Sequence, residues 1–204
     1  EERVRFFIAD ALAAALPAAK VVLATPVTAG CRMYKSAAEI ANMQYANDIT
    51  LEGFKAGLAN LREGMTQGEL AGNIAAAFRA MGANGGVSVS FGKFTAFPHG
   101  SIEPQRLKEG DVVQIDNGVS WNGYQADITR TFVFGAGPTA QQRKVWDQVH
   151  RGQQIAMAAA KIGAPAGSDD DAVRSTYESW GYGPRYKLPG TSHRTGHGIG
   201  MEVH

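Results

Sequence analysis

The spacing of apolar and polar positions changes several times along the chain, and each change marks an element. "FFIADALAAALPAAKVV" reads as an amphipathic helix that stops at Pro17, with "KVVLAT" as a short strand behind it. Ser36 with Glu39 makes a capping box. The helix it opens carries Ile40, Met43, Leu51, Phe54, Leu58 and Leu61 and ends near Gly64. Thr66 with Glu69 opens another, with Leu70, Ile74, Phe78 and Met81 on one face and Gly82 as its stop. The period then drops to two, as Val87, Val89 and Phe91 alternate in strand fashion. "DVVQIDNGVSWNGYQADITRTFVFG" reads as a β-hairpin with "WNGY" at its tip. Thr139 with Gln142 begins a helix reaching to about Ile162. Ser168 with Asp171 caps a last one, which carries Val173, Tyr177 and Trp180 and closes at Gly181.

This order predicts an α+β fold, helices packed on an antiparallel sheet, with no internal repeat and no low-complexity linker. A chain of 204 residues suits one domain with at most a small appendage, and the pattern offers one boundary, near residues 30–35. A net charge of +1 provides no field to attract nucleic acid. The single cysteine, Cys31, excludes an internal disulfide framework and a cysteine-based zinc cluster, and is expected to be a small buried or half-buried filler. Asp10, Pro17 and the acidic Glu1 and Glu2 argue against a secretory leader, and no stretch reaches the ~18 apolar residues of a membrane span. A cytoplasmic location without membrane partners is the resulting expectation.

Candidate chemistry begins with two carboxylates on the hairpin. A turn at Trp121-Asn122 sets Asp116 opposite Asp127; a turn at Asn122-Gly123 sets Asp116 opposite Thr129, with Asp127 diagonal to it. In either register the two share a face, about 5–8 Å apart. At an effective dielectric near 20 their repulsion is roughly 3 kcal/mol. Exposure of both to solvent, protonation of one, or a cation between them would each relieve it. The histidines favour the cation. His193 and His197 have the i, i+4 spacing of helical ligands, but Gly196, Gly198 and Gly200 argue against a helix, so the loop is read as backbone passing close to something, with one imidazole projecting from it. "GMEVH" alternates like the start of a strand, with Glu202 and His204 against Met201 and Val203. His99 is a further loop histidine ahead of the hairpin, whereas His150 reads as a solvated helix residue. Asp169, Asp170 and Asp171 read as carboxylates favouring a helix N-terminus rather than as a cation site.

Residues 32–204 resemble the pita-bread metallopeptidases: methionine aminopeptidase, aminopeptidase P and prolidase. "FPHGSIEPQRLKEGDVV", "DNGVSWNGYQADITRT" and "HRTGHGIGMEVH" carry the resemblance. "RMYKSAAEI" is similar to the junction with the catalytic domain in the proline-specific branch, and residues 1–31 to the tail of the N-terminal domain before it. His193, four residues before His197, favours that branch, and Thr195 stands where many methionine aminopeptidases have cysteine. The resemblance implies a curved antiparallel sheet covered by helices. It also implies a dinuclear site in which Asp116 chelates one metal, Asp127 bridges both and His197 binds the other, with His99, His193 and His204 on the substrate side. Two divalent cations of manganese type, with cobalt or zinc also suited to carboxylate and imidazole, would activate water and polarise the scissile carbonyl. The substrate implied is an Xaa-Pro dipeptide or short peptide, and a homodimer of the complete protein is compatible with it. Such sites take two more ligands from glutamates on later strands. By that standard residues 32–204 are a partial catalytic domain, incomplete at the C-terminus and expected to be inactive alone. The alternatives are a non-catalytic peptide- or protein-binding module of the same fold and a metal-free, creatinase-like hydrolase; retention of Asp116, Asp127 and His197 disfavours both.

Overall fold

The computed structural model describes residues 5–97 and 99–204. It divides into two compact units, Glu1–Ala41 and Asn42–His204.

The first unit holds helices α1 (Phe6–Ala15) and α2 (Thr25–Met33), neither of which buries a residue. The strand expected at "KVVLAT" does not form: residues 20–24 are irregular and Thr25 already belongs to α2. Pro26 fits the first helical turn, where its missing N–H costs nothing. Cys31 sits on α2 and is exposed, not the buried filler expected, because this helix has no core to fill. The capping box at Ser36 is present: Ser36 N–H donates to Glu39 Oε2 at 2.7 Å and Glu39 N–H to Ser36 Oγ at 3.3 Å. It opens α3 (Ala37–Leu58).

In the second unit α3 buries Ala46, Ile49, Thr50, Gly53, Phe54 and Gly57, a stripe largely of small residues, while Ile40 is exposed. The sequence pattern missed that stripe because small residues carry little apolar signal. Their size matters: a methyl at Gly53 would strike the ring of Phe78, and one at Gly57 the side chain of Ile74, both on α4 (Gln67–Ala80). The Thr66 capping box forms as read, with Thr66 N–H to Glu69 Oε2 at 2.7 Å and Glu69 N–H to Thr66 Oγ1 at 3.1 Å.

The sheet is antiparallel and centred on β2 (Val112–Trp121). On one side it pairs with β1 (Asn84–Phe91), on the other with a return arm that makes two ladders, β3 (Tyr124–Gln125) and β4 (Arg130–Val133). Trp121 pairs with Tyr124 and Ile115 with Arg130, so one register runs through both ladders. The turn is Asn122-Gly123, both in the left-handed region at φ 48° and 83°, the two-residue geometry that matches strand twist. Val113, Ile115, Val119, Val89 and Phe91 pack with Leu70, Ile74 and Phe78 in a single core. Buried Thr50 ties α3 to the hairpin by accepting from Val119 N–H at 3.2 Å, and its hydroxyl donates to Ala46 O at 2.8 Å.

Helices α5 (Ala140–Ala159) and α6 (Gly167–Ser179) pack against each other, with Gly152 leaving room for the Tyr177 ring. Thr139 and Gln142 cap α5 as read. The box expected at Ser168 and Asp171 is absent. The helix starts two residues earlier than that box requires, at Gly167, so Ser168 lies inside its first turn and its hydroxyl donates to Pro165 O at 2.7 Å.

Candidate metal site between the hairpin and the glycine-rich loop

The register found is the one that pairs Asp116 with Thr129 and leaves Asp127 two residues away on the return arm. Thr129 Oγ1 donates to Asp116 Oδ1 at 2.5 Å, a charge-assisted bond between facing positions. Between the two ladders the arm stays attached through Ala126 N–H to Val119 O at 2.9 Å and Ile128 N–H to Asn117 O at 3.3 Å. Asp127 is thereby held at the break in the arm.

The glycine-rich loop is docked on that arm by a residue the sequence reading passed over. Gln125 N–H donates to Gly200 O at 2.8 Å, and its side-chain Nε2 to Met201 O at 3.2 Å. A glutamine carries no catalytic signal, and its partners lie some 75 positions away, so only tertiary structure reveals it. The segment from Gly200 to His204 is bent rather than the strand start expected, because Gly200 N–H bonds Glu202 O at 3.0 Å and turns the chain. A side-chain carbon built on Gly196 or Gly198 meets no protein atom within 4 Å.

Docking brings His197 to Asp127, with Nε2 3.3 Å from Oδ2 and the two side chains 26% and 19% exposed. The other ring nitrogen, Nδ1, lies 2.8 Å from Gly198 O. A carbonyl can only accept, so Nδ1 carries a proton and Nε2 is the nitrogen turned to the carboxylate oxygen. Two acceptors at this separation need a proton or a cation between them. The distance also suits adjacent ligands of one ion, each about 2.0–2.2 Å from it. Carboxylate and imidazole suit a borderline divalent cation, so this pair fits a metal. The His204 ring lies against that of His197, the centroids 4.3 Å apart and the planes inclined by 47°.

The structure thus gathers Asp127, His197 and His204. Asp116 bonds Thr129 instead, His193 turns its Nδ1 to Arg194 O at 2.7 Å, and His99 is exposed in the turn before Gly100. Among the described residues, no three histidine, cysteine, aspartate or glutamate side chains converge closely enough to hold an ion. His150 is on the exposed surface of α5 beside Trp146, as the solvated reading expects.

The sequence profile of metallopeptidase family M24 matches residues 41–204, from the middle helix through the histidine loop. The chain is a member of metallopeptidase family M24. It is 32% identical over 176 residues to the Xaa-Pro dipeptidase of Pyrococcus furiosus, an alignment covering 85% of this chain and 49% of the relative. Among solved structures, the prolidase of Pyrococcus horikoshii OT3 superposes with a TM-score of 0.87 at 28% identity, over 100% of this chain and 58% of that one. An X-Pro aminopeptidase from Thermotoga maritima MSB8 gives 0.83 at 31% identity, over 100% and 57%. The chain therefore has the pita-bread fold, and it spans about half the length of the curated relatives it matches. No helix among the described residues is long and apolar enough to cross a membrane.

Proposed function

We propose that the protein is a metal-dependent hydrolase of Xaa-Pro peptide bonds, acting on dipeptides or short peptides. Asp116, Asp127 and His197 would contribute to a site for two divalent cations of manganese type, and His99, His193 and His204 would line the substrate side. Residues 32–204 belong on this reading to the catalytic domain, completed by two further carboxylate ligands, and residues 1–31 to the tail of a preceding domain. The observation that carries the reading is the 3.3 Å approach of His197 Nε2 to Asp127 Oδ2 with Nδ1 committed to Gly198 O.

When bound, divalent cations supply a Lewis acid and a water nucleophile at neutral pH. The chain's own residues supply the rest. The Gly198 carbonyl fixes the His197 tautomer and thereby aims the Nε2 lone pair at the site. Thr129 holds Asp116 on the neighbouring strand and satisfies one of its oxygens. His204, packed on His197, can meet a substrate carbonyl without being a ligand itself.

The test is hydrolysis by the complete protein, with its two further carboxylate ligands, of Xaa-Pro dipeptides against Met-Ala peptides, with and without a chelator. Preferred cleavage of Xaa-Pro, lost on chelation and restored by manganese, is expected. Asp127→Asn should lower turnover by more than the ~10–100-fold that loss of a supporting residue costs, together with metal content. His204→Ala should lower turnover with metal content retained, as measured by elemental analysis. Faster cleavage of Met-Ala peptides would overturn the proline assignment.

A further inference from the structure

We propose that Asp170 and Arg174 of α6 are positioning residues that hold the histidine loop at the hairpin. Their effect on turnover rests on the peptidase reading above; their effect on the loop does not.

Arg174 is only 6% exposed, the one charged residue in the fully buried set among those described. Its Nε donates to Asp170 Oδ2, one helical turn earlier, at 2.7 Å. The remaining guanidinium reaches three backbone carbonyls: Arg185 O at 2.8 Å, Thr191 O at 3.2 Å and His193 O at 2.6 Å. The Tyr186 ring covers it, 4.0 Å from the guanidinium carbon. The second oxygen of Asp170, Oδ1, accepts from Thr195 N–H at 2.9 Å and Thr195 Oγ1 at 2.6 Å. Two side chains of one helix therefore grip Thr191, His193 and Thr195, every second residue on the approach to His197.

The loop needs such a grip. Beyond Thr195 the glycines at 196 and 198 have open space around them, so the backbone flanking His197 is not braced by neighbouring groups. Its position follows from two anchors, α6 before it and the Gln125–Gly200 bond after it. Only a planar fork with several fixed donors can bind three carbonyls and a carboxylate together; a lysine ammonium cannot span them. A buried ion pair is a poor source of net stability, so this pair is better explained by the geometry it imposes.

The test measures amide hydrogen exchange and Xaa-Pro hydrolysis in Asp170→Ala, Asp170→Asn, Arg174→Lys and Thr195→Val. In Asp170→Ala and Arg174→Lys the Thr195 amide should exchange at least tenfold faster while amides of α5 stay within about twofold. The kcat should fall at least tenfold with KM changed far less. Asp170→Asn keeps an acceptor for Thr195 and should restore most of the protection. Thr195→Val, which removes one bond to Asp170 but leaves its pairing with Arg174 intact, should lower kcat several-fold while moving the melting temperature little. Unchanged Thr195 exchange overturns the proposal, as does acceleration of all amides together, which would make the pair a general stabiliser. A loosened loop with unaltered kcat also overturns it. If the complete wild-type protein cleaves no Xaa-Pro peptide, the peptidase reading fails, and the exchange measurements still decide the grip.

Discussion

His197 shows how one hydrogen bond decides what an imidazole can do. Bonding Nδ1 to Gly198 O leaves Nε2 as the nitrogen facing Asp127. That histidine was legible in the sequence, as was Asp127, because both residue types announce chemistry. Asp170 and Arg174 were not. Their i, i+4 spacing is that of any surface ion pair on a helix, and their targets lie across the loop, 11 to 25 residues away. Asp170 also gives a residue-scale prediction. Burial pushes its carboxyl upward, but the bonds from Arg174 and Thr195 outweigh that, and the group ends below its ordinary value of 3.8. The unfolded chain therefore takes up this proton first on acidification. The stabilisation from Asp170 is complete above about pH 4 and is lost as pH falls below that, through the folded value. Exchange of the Thr195 amide should rise steeply over the same acidic interval, and Asp170→Asn should flatten that dependence.

At the scale of elements, capping chemistry was the most readable signal. Ser36, Thr66 and Thr139 each cap the helix expected of them, since a hydroxyl and a carboxylate or amide three residues apart satisfy orphan amides locally. Ser168 failed because its helix begins two residues sooner, where side-chain spacing alone does not discriminate. Thr66→Ala should cost about 1 kcal/mol, read as a fall of roughly 2–4 °C in melting temperature. The hairpin was legible in outline, its register only as two options. Parity fixed which face the aspartates share, but the choice of Asn122-Gly123 as turn came from the structure. Gly118 is the hairpin's least replaceable position. A methyl there would lie 2.6 Å from Thr50 Oγ1 and 3.0 Å from Ala126 O, against the bond that joins α3 to Val119. Gly118→Ala should destabilise by about 1–3 kcal/mol in denaturant melts, whereas Gly123→Ala strains only an exposed turn and should cost less.

Across the whole molecule, the order in which the chain is made has a consequence for the site. Asp127 and the imidazole it faces are separated by about 70 residues, and Gln125 and Gly200 by about 75. At a synthesis rate of ~5–20 residues per second, the hairpin leaves the ribosome several seconds before His197 does. During that interval Asp116 can already bond Thr129, because both belong to the hairpin, but Asp127 has no histidine beside it. On the proposed reading, an ion held by the pair would be captured late, after α6 has emerged to receive the loop, so a nascent chain arrested before Arg174 should carry the hairpin without the affinity.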